Sequence, residues 1–238
     1  MSSATLQNIT FVYFDLDDTL LDHKLAETNA LQQTLRELDF LHDIPVELFR
    51  QTYHERNKEL WQLYNHSFIS GEELKRRRFS ETLNEFGIDS ERHETVVRTY
   101  MTNYRKHWQW VPGAEEVYRR IREAMPTGIL TNGFSETQHK KLQEFGLVKN
   151  GEIIIVSEEV GYLKPDSRIF RYAAERAATE PHKVLYVGDS YESDIEGGNG
   201  AGFKTAWFTR SAAAHQNGKA DVVFEDFTEL LNYLPANK

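Results

Sequence analysis

The feature that most constrains the fold is a break in texture along the chain. A short run rich in β-branched and aromatic residues, Ile9-Thr10-Phe11-Val12-Tyr13-Phe14, stands near the N-terminus. Such a run reads as a strand buried on both faces of a sheet. From about Lys24 to His107 the periodicity is helical, with no convincing strand. Strand-like runs then return at 127–131, 153–156, 184–187 and 205–208, with amphipathic segments near 135–145 and 166–178. Strand–helix alternation implies a parallel sheet with right-handed crossovers. The first strand belongs with the later ones, and a structureless loop of the intervening length is implausible in a compact domain. The chain therefore reads as an α/β core with an all-helical domain inserted after its first strand. Linkers at 21–23 and 108–113 give a discontinuous core of 1–21 and 108–238 around an insert of 22–107.

Within the insert, Leu31, Leu35 and Leu38 fall at helical spacing, as do Leu48, Tyr53, Leu60 and Tyr64. Ser70-Gly71-Glu72-Glu73 has the capping-box pattern and opens a third helix, which Gly87 is suited to end. A fourth runs from about Ser90 to His107. The 238-residue chain is 39% hydrophobic and 12% aromatic, enough for a real core. Its net charge of −9 argues against a nucleic-acid polymer or an anionic membrane as the main partner. With no cysteine there are no disulfides, thiolate nucleophiles or cysteine-ligated zinc sites. Residues 1–5 lack the basic-then-apolar pattern of a secretion signal, and no apolar run approaches the ~20 residues of a spanning helix. The expectation is a soluble cytoplasmic protein.

Four features fall at the carboxyl ends of candidate strands, where ligands bind in open α/β sheets. Asp15 and Asp17 follow the first strand, and two such anions together are costly unless a metal or a proton compensates. Thr131-Asn132-Gly133 follows the second. It is either an ordinary turn or a hydroxyl, an amide and helix N-terminal N–H groups facing one anion, with the dipole of a helix from about Ser135 behind them. Lys164 opens the helix after the third strand, either as a solvated lysine or as a fixed cation for phosphate. Asp189 and Asp194 follow the fourth. They are either a helix cap and a first-turn acid or a carboxylate pair completing a hard-metal site, whose oxygen ligands suit Mg²⁺.

In combination these features carry more than any one of them. Asp15-x-Asp17-x-Thr19, Thr131, Lys164 and Gly188-Asp189-Ser190-x-x-x-Asp194 resemble, in this order, the four motifs of the haloacid dehalogenase superfamily of aspartate-dependent phosphohydrolases. The resemblance implies a three-layer Rossmann-like core, a helical cap after the first motif, and Mg²⁺ as cofactor. It implies that Asp15 is the nucleophile and that Asp17 protonates the leaving group and then activates water. Mg²⁺ would sit on Asp15, the Asp17 carbonyl and Asp189. Thr131, Asn132 and Lys164 would hold the phosphoryl oxygens, with Asp194 orienting Lys164 or a metal-bound water from behind. An acid at position 17 sets phosphoryl-transfer members apart from the dehalogenases.

The stretch from Ser70 to Gly87 and the segment Gly161-Tyr162-Leu163-Lys164-Pro165-Asp166 look most like bacterial pyrimidine 5′-nucleotidases, so a nucleoside 5′-monophosphate is the expected substrate. Sugar-phosphate or phosphoglycolate hydrolysis and a phosphomutase are the alternatives. A receiver-type phosphorylation switch also combines acids, a hydroxyl and a lysine on a parallel sheet, but it needs neither Asp-x-Asp-x-Thr after strand 1 nor a helical insert. In the cap, Lys75-Arg76-Arg77-Arg78 reads either as a solvated helix face or as a face from which one arginine reaches substrate, with Arg77 the candidate. Trp61, Tyr64 and Phe68 read either as cap core or as an aromatic surface that stacks on a base, with Phe68 the candidate contact. Phe134 and Tyr162 are candidate lining residues on the core side.

Overall fold

The computed structural model describes residues 6, 8–66, 68–148, 151–209 and 219–234. Residues 1–5, on which the absence of a secretion signal is read, lie outside this set. The chain divides into two compact units, Met1–Asp22 with Trp110–Lys238, and His23–Gln109.

The first unit is built on β1 (Phe11–Phe14). The helical unit follows, with α1 (His23–Glu37), α2 (Val46–Asn65), α3 (Gly71–Glu85) and α4 (His93–Lys106). The chain then returns to the first unit through α5 (Ala114–Ala124), β2 (Thr127–Thr131), α6 (Ser135–Glu144), β3 (Ile153–Val156), α7 (Ser157–Val160) and α8 (Ser167–Arg176). It ends with β4 (Val184–Gly188), a π-helical turn Tyr191–Glu196, α9 (Gly197–Gly200), β5 (Lys204–Phe208) and β6 (Val222–Phe224).

Among the described residues the sheet has six parallel strands in the order β3-β2-β1-β4-β5-β6. β1 is central, with Val12 opposite Thr127 on one side and Leu185 on the other. All four of its residues are buried, as a strand covered on both faces requires. Val12 and Phe14 join one apolar layer with Val117, Tyr118 and Ile121 of α5. Phe11 and Tyr13 join the other with Ile169, Phe170 and Ala173 of α8. Each fully buried large side chain contributes about 1.5–3 kcal/mol, so this strand anchors both layers. From β1 the chain builds outward to β2 and β3, then crosses over to build β4, β5 and β6. The strand order thus reverses at β1, which opens a crevice at the carboxyl ends.

The helical unit packs around Leu31, Phe49, Tyr53, Phe79 and Tyr100, all at most 2% exposed. The capping box at Ser70 is present in full. Glu73 N–H donates to Ser70 Oγ at 3.2 Å, and Ser70 N–H donates to Glu73 Oε2 at 2.9 Å. Gly87 takes a left-handed φ of 66° just past α3, the conformation a glycine provides at a helix end.

Three details depart from the sequence reading. The fourth helix starts at His93, preceded by a 3-10 turn over Ser90–Arg92. The helix α5 precedes the second strand, where strands alone were expected; Val117, Tyr118 and Ile121 are its buried stripe. The three-residue β6 adds an edge after a polar stretch. No helix among the described residues is long and apolar enough to cross a membrane.

Candidate active site

The turn after β1 sets the first carboxylates. Asp15 N–H donates to Val187 O at 2.9 Å, which extends the ladder by one residue. Asp18 then takes φ 62°, a left-handed conformation that aspartate tolerates, and its N–H donates to Leu21 O at 2.7 Å. This tight turn returns Thr19 so that its Oγ1 donates to Asp15 Oδ2 at 3.4 Å.

Asp15 and Lys164 form the centre of the site, 6% and 2% exposed. Lys164 Nζ donates at 2.7 Å to Asp15 Oδ1, at 2.7 Å to Asp194 Oδ1 and at 2.8 Å to Tyr186 Oη. An ammonium has three donors, and here all three are used. Tyr186 Oη in turn donates to Leu130 O at 2.8 Å, so a β4 side chain ties the lysine to β2. Asp194 is fully buried, and its Oδ2 accepts from Ser190 N–H at 2.9 Å. Gly188 makes room for that carboxylate, since a Cβ there would lie 2.4 Å from Asp194 Oδ2. A π-helical turn carries Asp194, and such turns occur frequently at functional sites. Trp207 Nε1 donates to Asp189 O at 2.8 Å and pins the backbone just ahead of that turn.

One carboxylate oxygen from each of Asp15, Asp189 and Asp194 lies within 4.8 Å of the others. With Lys164 the cluster carries three negative charges and one positive. Burial, then the charges of Asp194 and Asp189, push the Asp15 carboxyl well above the usual carboxylate range, although Lys164 pulls it down. Burial opposes the Lys164 charge, but Asp15 and Asp194 outweigh it and hold its pKa above the ordinary lysine value. Burial and the same two carboxylates raise the Tyr186 phenol far above its usual range, so it stays a neutral donor and acceptor. An all-oxygen set of three carboxylates, formally −2 once Lys164 is counted beside it, fits a hard divalent cation such as Mg²⁺.

Three expected roles need correction. The Asp17 carboxylate does not join that trio. Its Oδ1 accepts from Lys141 Nζ at 2.5 Å and its Oδ2 from Gln138 Nε2 at 2.9 Å, both on α6. The Asn132 amide does not face an anion. It donates from Nδ2 to Lys164 O and accepts at Oδ1 from Lys164 N–H, both at 2.8 Å, so it clamps the lysine's backbone. The first N–H of α6, on Ser135, donates to Glu158 Oε2 at 2.7 Å. The Thr131 hydroxyl is buried and accepts from Gln138 Nε2 at 2.8 Å and from Gly133 N–H at 3.3 Å.

In the helical unit Phe68 is 75% exposed and stacks on His66 at 6.0 Å. Arg77 is paired with Glu81 at 2.6 Å. Its neighbour Arg78, half-buried, lies over the Phe79 and Tyr100 rings at 5.5 and 5.9 Å. Trp61 and Tyr64 meet edge-to-face at 5.6 Å, half-buried and outside the unit's buried core. Phe134 is buried, and Tyr162 lies beneath the Arg168 guanidinium at 4.2 Å.

Residues 9–202 match the model of the haloacid dehalogenase-like hydrolases. The chain belongs to that family. Among similar proteins is the pyrimidine 5′-nucleotidase YjjG of Escherichia coli, 33% identical over 198 residues, which are 83% of this chain and 84% of that one. Another is the glyceraldehyde 3-phosphate phosphatase of Pyrococcus furiosus, 31% identical over 96% of this chain and 94% of that one. A magnesium-bound crystal structure of Bacillus subtilis YfnB superposes with a TM-score of 0.81 at 28% identity, covering 95% of this chain and 98% of that one. Family membership makes this chain a hydrolase and removes the receiver-switch reading.

Sequence reasoning missed Tyr186, Gln138, Lys141 and Trp207. For the α6 pair a signal existed. Gln138 and Lys141 share the spacing of Leu142, the helix's apolar anchor, so a polar pair lies on a buried face.

Proposed function

We propose that this hydrolase cleaves phosphomonoesters through an aspartyl phosphate on Asp15, with nucleoside 5′-monophosphates as substrates. The observation that carries the reading is the buried Asp15–Lys164–Asp194 contact, with Asp17 two residues beyond at the same strand end. A phosphate monoester is a dianion and repels an attacking carboxylate. Lys164 binds the nucleophile directly and is held by Asp194 and Tyr186, so its positive charge stays beside the reacting atoms.

Asp15 attacks phosphorus in line and forms the acyl phosphate as the alkoxide leaves. The Thr131 hydroxyl, which accepts from Gln138 and Gly133, donates its own proton to an equatorial oxygen as charge spreads over the phosphoryl group. Asp17 gives a proton to the leaving oxygen and later takes one from the water that releases phosphate. A divalent cation held by Asp15, Asp189 and the Asp17 main-chain carbonyl would supply charge neutralisation to ester and nucleophile. Asp194 serves through Lys164.

The nucleotide reading draws support from the likeness to YjjG, a pyrimidine 5′-nucleotidase. The nearly equal likeness to a glyceraldehyde 3-phosphate phosphatase favours a small sugar phosphate as the second reading. Substrate choice is assigned to the helical unit, with Phe68 as an exposed aromatic able to stack on a base. A phosphate-release screen with Mg²⁺ over nucleoside monophosphates, sugar phosphates and phosphoglycolate tests this. Pyrimidine nucleoside 5′-monophosphates are expected to give the highest kcat/KM. A preference for triose phosphate selects the second reading, and no release from any monoester refutes both.

A further inference from the structure

Two side chains of α6 that the chemistry above leaves unused converge on Asp17. Lys141 and Gln138 are each 1% exposed. A lysine is almost never so buried unless its charge is paired, and the carboxylate against Lys141 Nζ is Asp17, at 2.5 Å. Gln138 Nε2 bridges Asp17 Oδ2 at 2.9 Å and Thr131 Oγ1 at 2.8 Å. Gly133 permits that bridge, because a Cβ there would lie 1.9 Å from Gln138 Nε2. The helix that carries both is anchored through Leu142, which is fully buried.

The two Asp17 oxygens are therefore each held by a different side chain of one rigid helix. A carboxylate oxygen can accept more than one hydrogen bond, so this support is compatible with proton transfer at the same group. The Asp17 side chain is 28% exposed against 2% for Lys141. The carboxylate thus meets the accessible side, and its support lies behind it.

We infer that Lys141 and Gln138 are positioning residues that fix the plane of the Asp17 carboxylate for proton transfer at the leaving-group oxygen. Gln138, through its second bond to Thr131 Oγ1, also ties the carboxylate to the hydroxyl that holds the phosphoryl group. The inference rests on Asp17 being the acid–base group proposed above. Proton transfer needs heavy-atom approach of about 2.6–3.2 Å, and a support that lets a group drift by about 1 Å costs roughly a hundredfold in rate.

The test uses leaving-group demand, which a merely structural role would not move. Single-turnover release of the leaving alcohol is measured for glycerol 2-phosphate and for p-nitrophenyl phosphate, in the wild type, Lys141→Met, Lys141→Arg, Gln138→Met and Asp17→Asn. The alkyl ester needs a proton at its leaving oxygen, whereas nitrophenolate leaves without one. Lys141→Met is expected to slow alkyl release roughly a hundredfold and aryl release by about threefold, with KM little changed. Lys141→Arg should recover part of the alkyl rate. Lys141→Met added to Asp17→Asn should cost nothing further, because residues acting through one group are non-additive. If Lys141→Met does not fold, Gln138→Met, which leaves the buried ion pair intact, carries the same comparison with a smaller split. If Asp17→Asn separates the two esters while neither α6 variant does, the inference is wrong and the Asp17 assignment stands. If Asp17→Asn does not separate them, the Asp17 assignment fails and takes the inference with it.

Discussion

Asp15 and Glu27 are two buried carboxylates, one in each unit, and their surroundings push them in opposite directions. Burial raises the pKa of both. At Asp15 the nearby Asp194 and Asp189 raise it further against Lys164, and the group ends well above its ordinary value. At Glu27 the hydrogen bond from His54, then the charges of His23, His54 and Arg78, outweigh burial and leave it below its ordinary value. His54 Nδ1 lies 3.2 Å from Glu27 Oε1, and His23 Nε2 lies 3.8 Å from Oε2. Depth alone therefore does not mark a reactive carboxylate. What marks Asp15 is a local charge deficit that the chain leaves uncompensated, while the helical unit balances its own buried acid. Unbalanced, perturbed groups concentrate at functional sites.

The largest effect expected from breaking this contrast is at Asp15. Asp15→Asn should lower phosphate release from every monoester by roughly 10⁴-fold or more, since an amide cannot serve as the nucleophile. The same change removes one of three crowded charges and leaves Lys164 with Asp194 and Tyr186. Its melting temperature is therefore expected to be unchanged or higher, as at sites where function costs stability. Turnover within tenfold of wild type would sink the assignment.

Cation removal comes next. Chelation should abolish turnover, and Mg²⁺ should restore it and raise the melting temperature by mass action. Asp189→Ala should weaken that thermal shift more than any change in the helical unit. A Mg²⁺ shift that persists in full in Asp189→Ala would place the cation elsewhere.

Much of the core site is legible in the amino-acid sequence because Asp15, Thr131, Lys164, Asp189 and Asp194 each follow a run that declares itself a strand. In a parallel sheet all strand ends of one polarity share an edge, so these residues meet. Residues that act from inside regular elements leave no such mark. Tyr186 stands in a wholly apolar strand and reads as core, although its hydroxyl is one of three anchors on Lys164. Gln138 and Lys141 stand in a largely polar helix, where only their spacing to Leu142 marks a buried face. Asn132 carries the right amide in the right place, but its partner is the Lys164 backbone, a pairing across 32 residues that no local pattern encodes. Arg77 and Arg78 are consecutive, about 100° apart around a helix, and only the phase of α3 decides that Arg78 meets the Phe79 and Tyr100 rings while Arg77 meets Glu81. The short β6 lacks the length to be read at all.

A moderate effect is expected at Glu27, on the compensated side. Glu27→Gln should destabilise the protein by about 1–3 kcal/mol at pH 7, the cost of a weakened buried hydrogen bond, with p-nitrophenyl phosphate turnover little changed. Because the folded pKa of Glu27 lies below its unfolded value of about 4.3, the stabilisation is present above that value. It is lost as the pH falls through the lowered folded pKa. Wild type and variant should therefore converge in melting temperature as the pH falls below the unfolded value and through the lowered folded one. A constant difference from about pH 7 to about pH 3 would remove Glu27 ionisation from the stability of the helical unit.

The smallest effect is at the exposed surface of that unit. Phe68→Ala should leave stability within about 0.5 kcal/mol of wild type, because the ring is 75% exposed. It should lower kcat/KM for a pyrimidine nucleoside monophosphate several-fold relative to p-nitrophenyl phosphate, whereas Arg77→Ala, already paired with Glu81, should change this ratio less. An unchanged ratio in Phe68→Ala would move base recognition away from this residue.

The central claim, that the charge deficit around Asp15 serves a covalent phosphoryl transfer, is tested most directly by trapping the intermediate. The enzyme is mixed with excess p-nitrophenyl phosphate and Mg²⁺, quenched in acid within one turnover, digested at low pH and mapped by mass spectrometry. The account predicts a base-labile phosphoryl group on the peptide carrying Asp15, absent from Asp15→Asn and accumulating in Asp17→Asn, where its hydrolysis slows. A phosphoryl group on any other residue would contradict it, as would rapid single-turnover phosphate release with no covalent species at any quench time.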